Sequence, residues 1–194
     1  MPFRFLTYII IIKLISMFTV SAVDKQFLLE SITENWNKIE TMSGSFIQYN
    51  SDESMSYGKF FLSKPFKSKF IYENNKDTII TTETLIVLLD EEGFRIDSYP
   101  LFNSPIKNLL VDKMDFENLN SNIQLIEESN FYNIFISGID DKKSAIFSFE
   151  RDSLDLKKWE IIDEFDQSTV LEFTKIKKNI SIGPETYKIR YKNN

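Results

Sequence analysis

Two runs decide how this chain folds: Phe131-Tyr132-Asn133-Ile134-Phe135-Ile136-Ser137 and Ser144-Ala145-Ile146-Phe147-Ser148-Phe149. Both are rich in aromatic and β-branched residues, which fit the half-buried pleated surface of a sheet. Working outward, Tyr187-Lys188-Ile189-Arg190-Tyr191 alternates apolar and charged residues and predicts another strand near the chain end. From Ser43 onward the period of two prevails. It is punctuated by turn signals at Asn74-Asn75, Glu91-Glu92-Gly93, Ser129-Asn130, Asp140-Asp141 and Asp166-Gln167. The spacing predicts about 11 strands at hairpin separation, an antiparallel meander rather than a series of βαβ units.

Two segments break that period. Leu28, Ile32, Trp36 and Ile39 recur at steps of four, four and three, with Glu30, Glu34 and Lys38 between them. This predicts an amphipathic helix from Asp24 to Ile39, with Asp24 as its cap. Ser104-Pro105-Ile106-Lys107-Asn108-Leu109-Leu110 offers a capping Ser and a Pro at the first helical position, and predicts a short second helix. Two helices are too few to cover so many strands laid flat, so the sheet is expected to curl around them. Periodicity leaves two interiors open: a packed aromatic core, or an apolar cavity inside the curled sheet.

Composition narrows the chemistry. The 194 residues contain no Cys and no His, and 29 acidic residues outnumber 23 basic ones. A thiolate nucleophile, a zinc–thiolate site, a Ser-His-Asp triad and a histidine-ligated metal are therefore excluded. The acidic balance also argues against nucleic acid as a partner, because phosphate binding needs concentrated positive charge. Only 5 Gly in the whole chain argue against a Gly-rich phosphate loop. No metal or organic cofactor is expected. The acid clusters Asp90-Glu91-Glu92, Asp140-Asp141 and Asp163-Glu164-Asp166 could serve a carboxylate-dependent hydrolase or a calcium site, but they fall in turns, where acids are usually solvated.

The first 22 residues read MPFRFLTYIIIIKLISMFTVSA. Arg4 supplies the positive start, an apolar run follows, and Val20-Ser21-Ala22 sets small residues where a signal peptidase cuts. Lys13 interrupts the run, which disfavours a membrane anchor. Residues 1–22 are thus expected to be a cleaved signal peptide, and residues 23–194 a single exported domain. Losing Arg4 and Lys13 with the signal leaves 21 basic against 29 acidic residues, a net charge of −8.

Several local patterns then occur in a telling order. Met42-Ser43-Gly44-Ser45-Phe46-Ile47-Gln48 resembles the entry to the first strand of the outer-membrane lipoprotein carrier (LolA) family. The stretch from Gly58-Lys59-Phe60 through Lys64-Pro65 to Phe70-Ile71-Tyr72 is similar to that family's strand, basic-Pro turn and aromatic strand. Tyr99-Pro100-Leu101 leading into Ser104–Leu110 resembles its Thr-Pro-Leu-x-x-Leu-Leu helix, and Trp159–Thr169 its late strand–turn–strand.

The resemblance implies an incomplete antiparallel β-barrel, with an N-terminal helix and a short lid helix enclosing an apolar cavity. It implies a monomeric periplasmic carrier, not an enzyme, that shields lipoprotein acyl chains. The lipoproteins would come from an inner-membrane ABC transporter and go to the outer membrane, with or without a receptor there. Acyl-chain contacts are implied for Phe46, Phe60, Leu62, Phe70 and Tyr72, and for Ile106, Leu109 and Leu110 on the lid. Lys64 stands where the family carries an Arg that latches the lid to backbone carbonyls; an ammonium lacks the planar fork of a guanidinium. The family's C-terminal Phe-x-Phe-x-Pro-Pro is reduced here to Ile180-Ser181-Ile182-Gly183-Pro184. A carrier or sensor of another apolar ligand, such as a glycolipid, would share the same fold.

Overall fold

A computed structural model describes residues 22–74, 76–104, 106–116, 123–137 and 143–190. The signal-peptide region 1–21, Asn75, Pro105, Asp140-Asp141 and Tyr191 lie outside the described residues. The helix read from the spacing is α1 (Ala22–Asn37). Ile32 and Trp36 on its stripe are fully buried. The helix starts before Asp24, which falls in its first turn rather than at the cap.

Eleven strands follow: β1 (Thr41–Tyr49), β2 (Met55–Ser63), β3 (Lys67–Tyr72), β4 (Thr78–Thr81), β5 (Leu85–Leu89), β6 (Arg95–Pro100), β7 (Ile123–Glu127), β8 (Phe131–Ser137), β9 (Ser144–Glu150), β10 (Leu156–Ile162) and β11 (Ser168–Lys178). They form one antiparallel sheet in the order β6-β5-β4-β3-β2-β1-β11-β10-β9-β8-β7. The first and last strands pair at its centre, and each flank is a meander of hairpin neighbours. Among the described strands β6 and β7 form the two ends of the sheet, which does not close, so the barrel is incomplete, as expected.

Alternation gives the sheet two unlike faces. The register stacks Phe46 beside Phe173, Phe60 beside Phe70, and Trp159 beside Phe147 on the inner face. With Ile32, Trp36, Leu109 and Leu110 from the helices, these residues form one buried cluster. Glycine permits close approach at two points. A Cβ on Gly44 would lie 2.6 Å from the Thr174 carbonyl, and one on Gly58 would meet the Phe46 ring at 2.5 Å.

The second helix is shorter than expected. α2 spans only Lys107–Leu110, after a 3-10 turn at Leu101–Asn103, and no side chain caps it. Ser104 closes the 3-10 turn with its backbone instead. Of the strand expected at Tyr187–Tyr191, the described residues 187–190 do not form one. Pro184–Tyr187 is a 3-10 turn, and Arg190 makes a single bridge with Phe94. Ile189 packs against Ile80, Val87 and Leu89, a small cluster on the outer face. The Tyr187 and Ser63 hydroxyls meet at 2.8 Å. The chain end thus runs over the outside of the sheet instead of extending it.

Candidate functional site

The inner face under the helices is the candidate site, built mainly from aromatic rings. Phe46 meets Phe70 edge-on at 5.5 Å and Tyr72 at 5.1 Å between ring centroids. Phe60 stacks on Phe70 at 6.0 Å and leans on Phe173 at 4.9 Å. Trp159 stands edge to face with Phe70 and Phe173, each at 5.8 Å. Such offset and edge-on pairs add to the free energy of burial. The structure therefore brings Phe46, Phe60, Leu62, Phe70, Ile106, Leu109 and Leu110 into one buried cluster, with Tyr72 packed against its margin. Tyr72 also donates to Gln48 Oε1 at 2.6 Å, and burial, helped by the Asp77 charge, pushes its hydroxyl up to about 12.

The Lys64–Phe66 turn is where both helices meet the sheet. Lys64 Nζ donates to the Trp36 carbonyl in the last turn of α1 at 2.7 Å, and sits 4.6 Å from the centroid of the Trp36 ring. A cation suits that position, because the carbonyl end of a helix is the negative pole of its dipole. Burial pushes the ammonium down to about 8, the Lys113 charge adds to this, and Asp112 opposes it. Phe66 N–H donates to the Leu110 carbonyl at 2.6 Å. Lys64 therefore grips α1, and its neighbour two residues on grips α2.

Sequence reasoning did not find two further ties. Trp36 Nε1–H donates to the Leu109 carbonyl at 3.1 Å, joining α1 directly to α2. Asn37 exchanges two bonds of 2.8 Å with the Met114 backbone, fixing the segment after α2 to the end of α1. These partners lie 73 and 77 residues apart in sequence, and no local pattern announces them. The outer cluster at Ile80 and Val87 did carry a signal. The unbroken apolar run Leu85–Leu89 says that both faces of that strand are covered.

The two acid clusters within the described residues serve their turns. Asp90 Oδ1 accepts from Glu92 N–H and Phe94 N–H at 3.1 and 2.8 Å, and Asp163 Oδ1 accepts from Phe165 and Gln167 at 2.8 and 3.0 Å. These are side-chain-organised hairpin turns. Among the described residues no group of three or more Asp or Glu could hold a metal ion. A polar pocket of about 590 Å³ opens on the outer face between Lys69, the Asp90–Gly93 turn and the chain end at Glu185–Arg190. No helix among the described residues is long and apolar enough to cross a membrane.

Fold and site together define an open antiparallel half-barrel with an aromatic interior, covered by two helices that a few polar contacts hold down. The chain belongs to the outer membrane lipoprotein carrier protein family, LolA, which it matches over residues 37–190. A comparison with curated protein sequences found no match. Among solved structures, an uncharacterised conserved protein from Thermus thermophilus superposes with a TM-score of 0.51 at 8% identity, covering 87% of this chain and 99% of that one. A LolA superfamily protein from Nitrosomonas europaea aligns at 10% identity and TM-score 0.43, over 82% and 97% of the two chains. MucB of Pseudomonas aeruginosa, in complex with MucA, aligns at 11% identity and TM-score 0.46, over 84% of this chain. This chain spans 60% of that MucB chain. At 8% identity the likeness to the Thermus thermophilus protein is one of fold.

Proposed function

We propose that this protein is an exported, periplasmic carrier that takes lipoprotein acyl chains onto the inner face of its half-barrel. In this reading it receives acylated lipoproteins from an inner-membrane releasing transporter and delivers them toward the outer membrane. It works by binding, not by catalysis. The observation that carries the reading is the construction of the site: a continuous aromatic inner face, including Phe46, Phe60, Phe70 and Trp159, beneath helices tied down at Lys64, Phe66 and Trp36. Family membership supports it.

The energetics agree with a shuttle. Each methylene of an acyl chain is worth about 0.8 kcal/mol when buried, so a bare lipid anchor would aggregate or return to a membrane. In the described state the rings touch one another, so cargo enters by parting the helices from the sheet. Rings that separate on opening pack against cargo methylenes instead, which keeps uptake and release near balance without an energy source in the carrier.

Native mass spectrometry of the exported protein, with uptake of an environment-sensitive apolar dye, tests the reading. Bound lipid or acylated peptide is the expected result, and Phe70→Glu should abolish uptake in a domain that remains folded by circular dichroism. A protein that takes up neither dye nor acylated peptide refutes the carrier role. Unchanged uptake by the variant removes Phe70 from the site.

A further inference from the structure

We infer that the interior recognises its apolar cargo through a carbonyl oxygen, with the indole N–H of Trp159 as the donor. This rests on the carrier reading and specifies the ligand: an acyl chain bearing a neutral ester or amide, rather than a plain hydrocarbon or a free carboxylate.

Trp159 lies on the inner face of β10 and is 3% exposed. Its Nε1 is buried and has no hydrogen-bond partner among the described residues. The other tryptophan shows the usual resolution, since Trp36 Nε1–H is satisfied by the Leu109 carbonyl. Burying an indole N–H without an acceptor is a cost that a core serving only to pack avoids by using Phe or Leu. Here Phe70, Phe147 and Phe173 surround the ring. The site thus uses Phe at the flanking positions and places at Trp159 a donor that no hydrogen bond among the described residues takes up.

The surroundings narrow the acceptor. An ordered water needs two to four polar partners, and the rings around Trp159 offer none. A carboxylate would need a cation to offset its desolvation, and among the described residues no Lys or Arg is fully buried. An ester or amide carbonyl needs a single donor and brings its own apolar flanks. An acyl chain fixed at its carbonyl is also placed in register, with its methylenes along the aromatic rows on either side.

The test uses the mature chain with ¹⁵N-labelled tryptophan and two probes, methyl palmitate and an alkane of equal length. The Trp159 indole signal is assigned by its loss in Trp159→Phe. Methyl palmitate should move that signal downfield while the alkane does not, and the Trp36 signal should not gain a comparable shift from the ester. Trp159→Phe should weaken methyl palmitate binding about three- to tenfold relative to the alkane. An indole signal indifferent to the ester, or a substitution that weakens both probes equally, overturns the assignment and leaves the carrier role standing. Failure of both probes to bind overturns the carrier role itself.

Discussion

Replacing Trp36 by Phe isolates the tie between the two helices. The ring is 1% exposed, and its N–H donates at 3.1 Å to the carbonyl of Leu109, a fully buried residue. Phe keeps an aromatic ring in place but leaves that carbonyl without this donor, which costs about 1–3 kcal/mol. Loss of the pyrrole part of the ring removes packing worth about 1 kcal/mol. A smaller ring face under the Lys64 ammonium takes away a few tenths more, on the order of 0.5 kcal/mol. The Trp36 backbone carbonyl still accepts from Ile39 N–H and from Lys64, so no second polar group is stranded.

The expected sum is about 2.5–4.5 kcal/mol against the docking of the helices, or roughly 70- to 2,000-fold in their open population. Native-state amide exchange reads this locally. Phe66 N–H, which bonds the Leu110 carbonyl, and the amides of α1 should lose protection by that factor. The paired strands β8 and β9 should lose less, and dye uptake should become faster. Equal loss of protection in β8–β9 and in α1 would mean that Trp36 supports the whole fold rather than its cover. Loss of less than about 1 kcal/mol at Phe66 would refute the tie itself.

Two further outcomes follow from the same geometry. Gly58→Ala drives a methyl into the Phe46 ring and against the Ile71 carbonyl, so urea unfolding should register a loss of about 1–3 kcal/mol, and a neutral result would mean that β2 and β3 part freely. Burial holds the Lys64 ammonium down at about 8 in the folded chain, while the unfolded chain keeps the proton up to the ordinary 10.5. The unfolded state therefore binds more protons between these values. Folding stability should rise with pH across that window through this group, and Lys64→Met should remove the increment, which paired denaturation curves at about pH 7.5 and 10 would show.

Much of the fold was legible because burial on one face writes itself into the sequence. Phe131–Ser137 and Ser144–Glu150 became β8 and β9 with nearly the bounds their pattern gave, since one face of each meets the core. The order of the strands was not legible: β1 and β11 pair across more than a hundred residues, and nothing local specifies that match. The chain end explains why the same signal misled. Tyr187 and Ile189 are half-buried while Lys188 and Arg190 are exposed, so the alternation is real. It arises because the tail lies along the outer face of the sheet, with Ile189 in the small outer cluster, and not because it joins the ladder. Period two reports burial on one side and is silent about pairing.

The same limit applies to the candidate site. Apolar positions such as Phe60 and Leu109 were legible as buried, and that is all their pattern could say. What distinguishes a cover from a core is the number and kind of bonds that fasten it. Those bonds run from Lys64 to Trp36, from Trp36 to Leu109, and from Asn37 to Met114, between residues that only the folded chain brings together. Each ends on a backbone carbonyl, an acceptor every residue possesses, so no side-chain pattern marks the receiving end. For that reason the resemblance names Lys64 alone, whereas the folded chain sets its ammonium against the end of α1 and bonds α2 through Phe66 and Trp36. A cover held in this way can be loosened one bond at a time, whereas a core of interlocked rings fails as a unit.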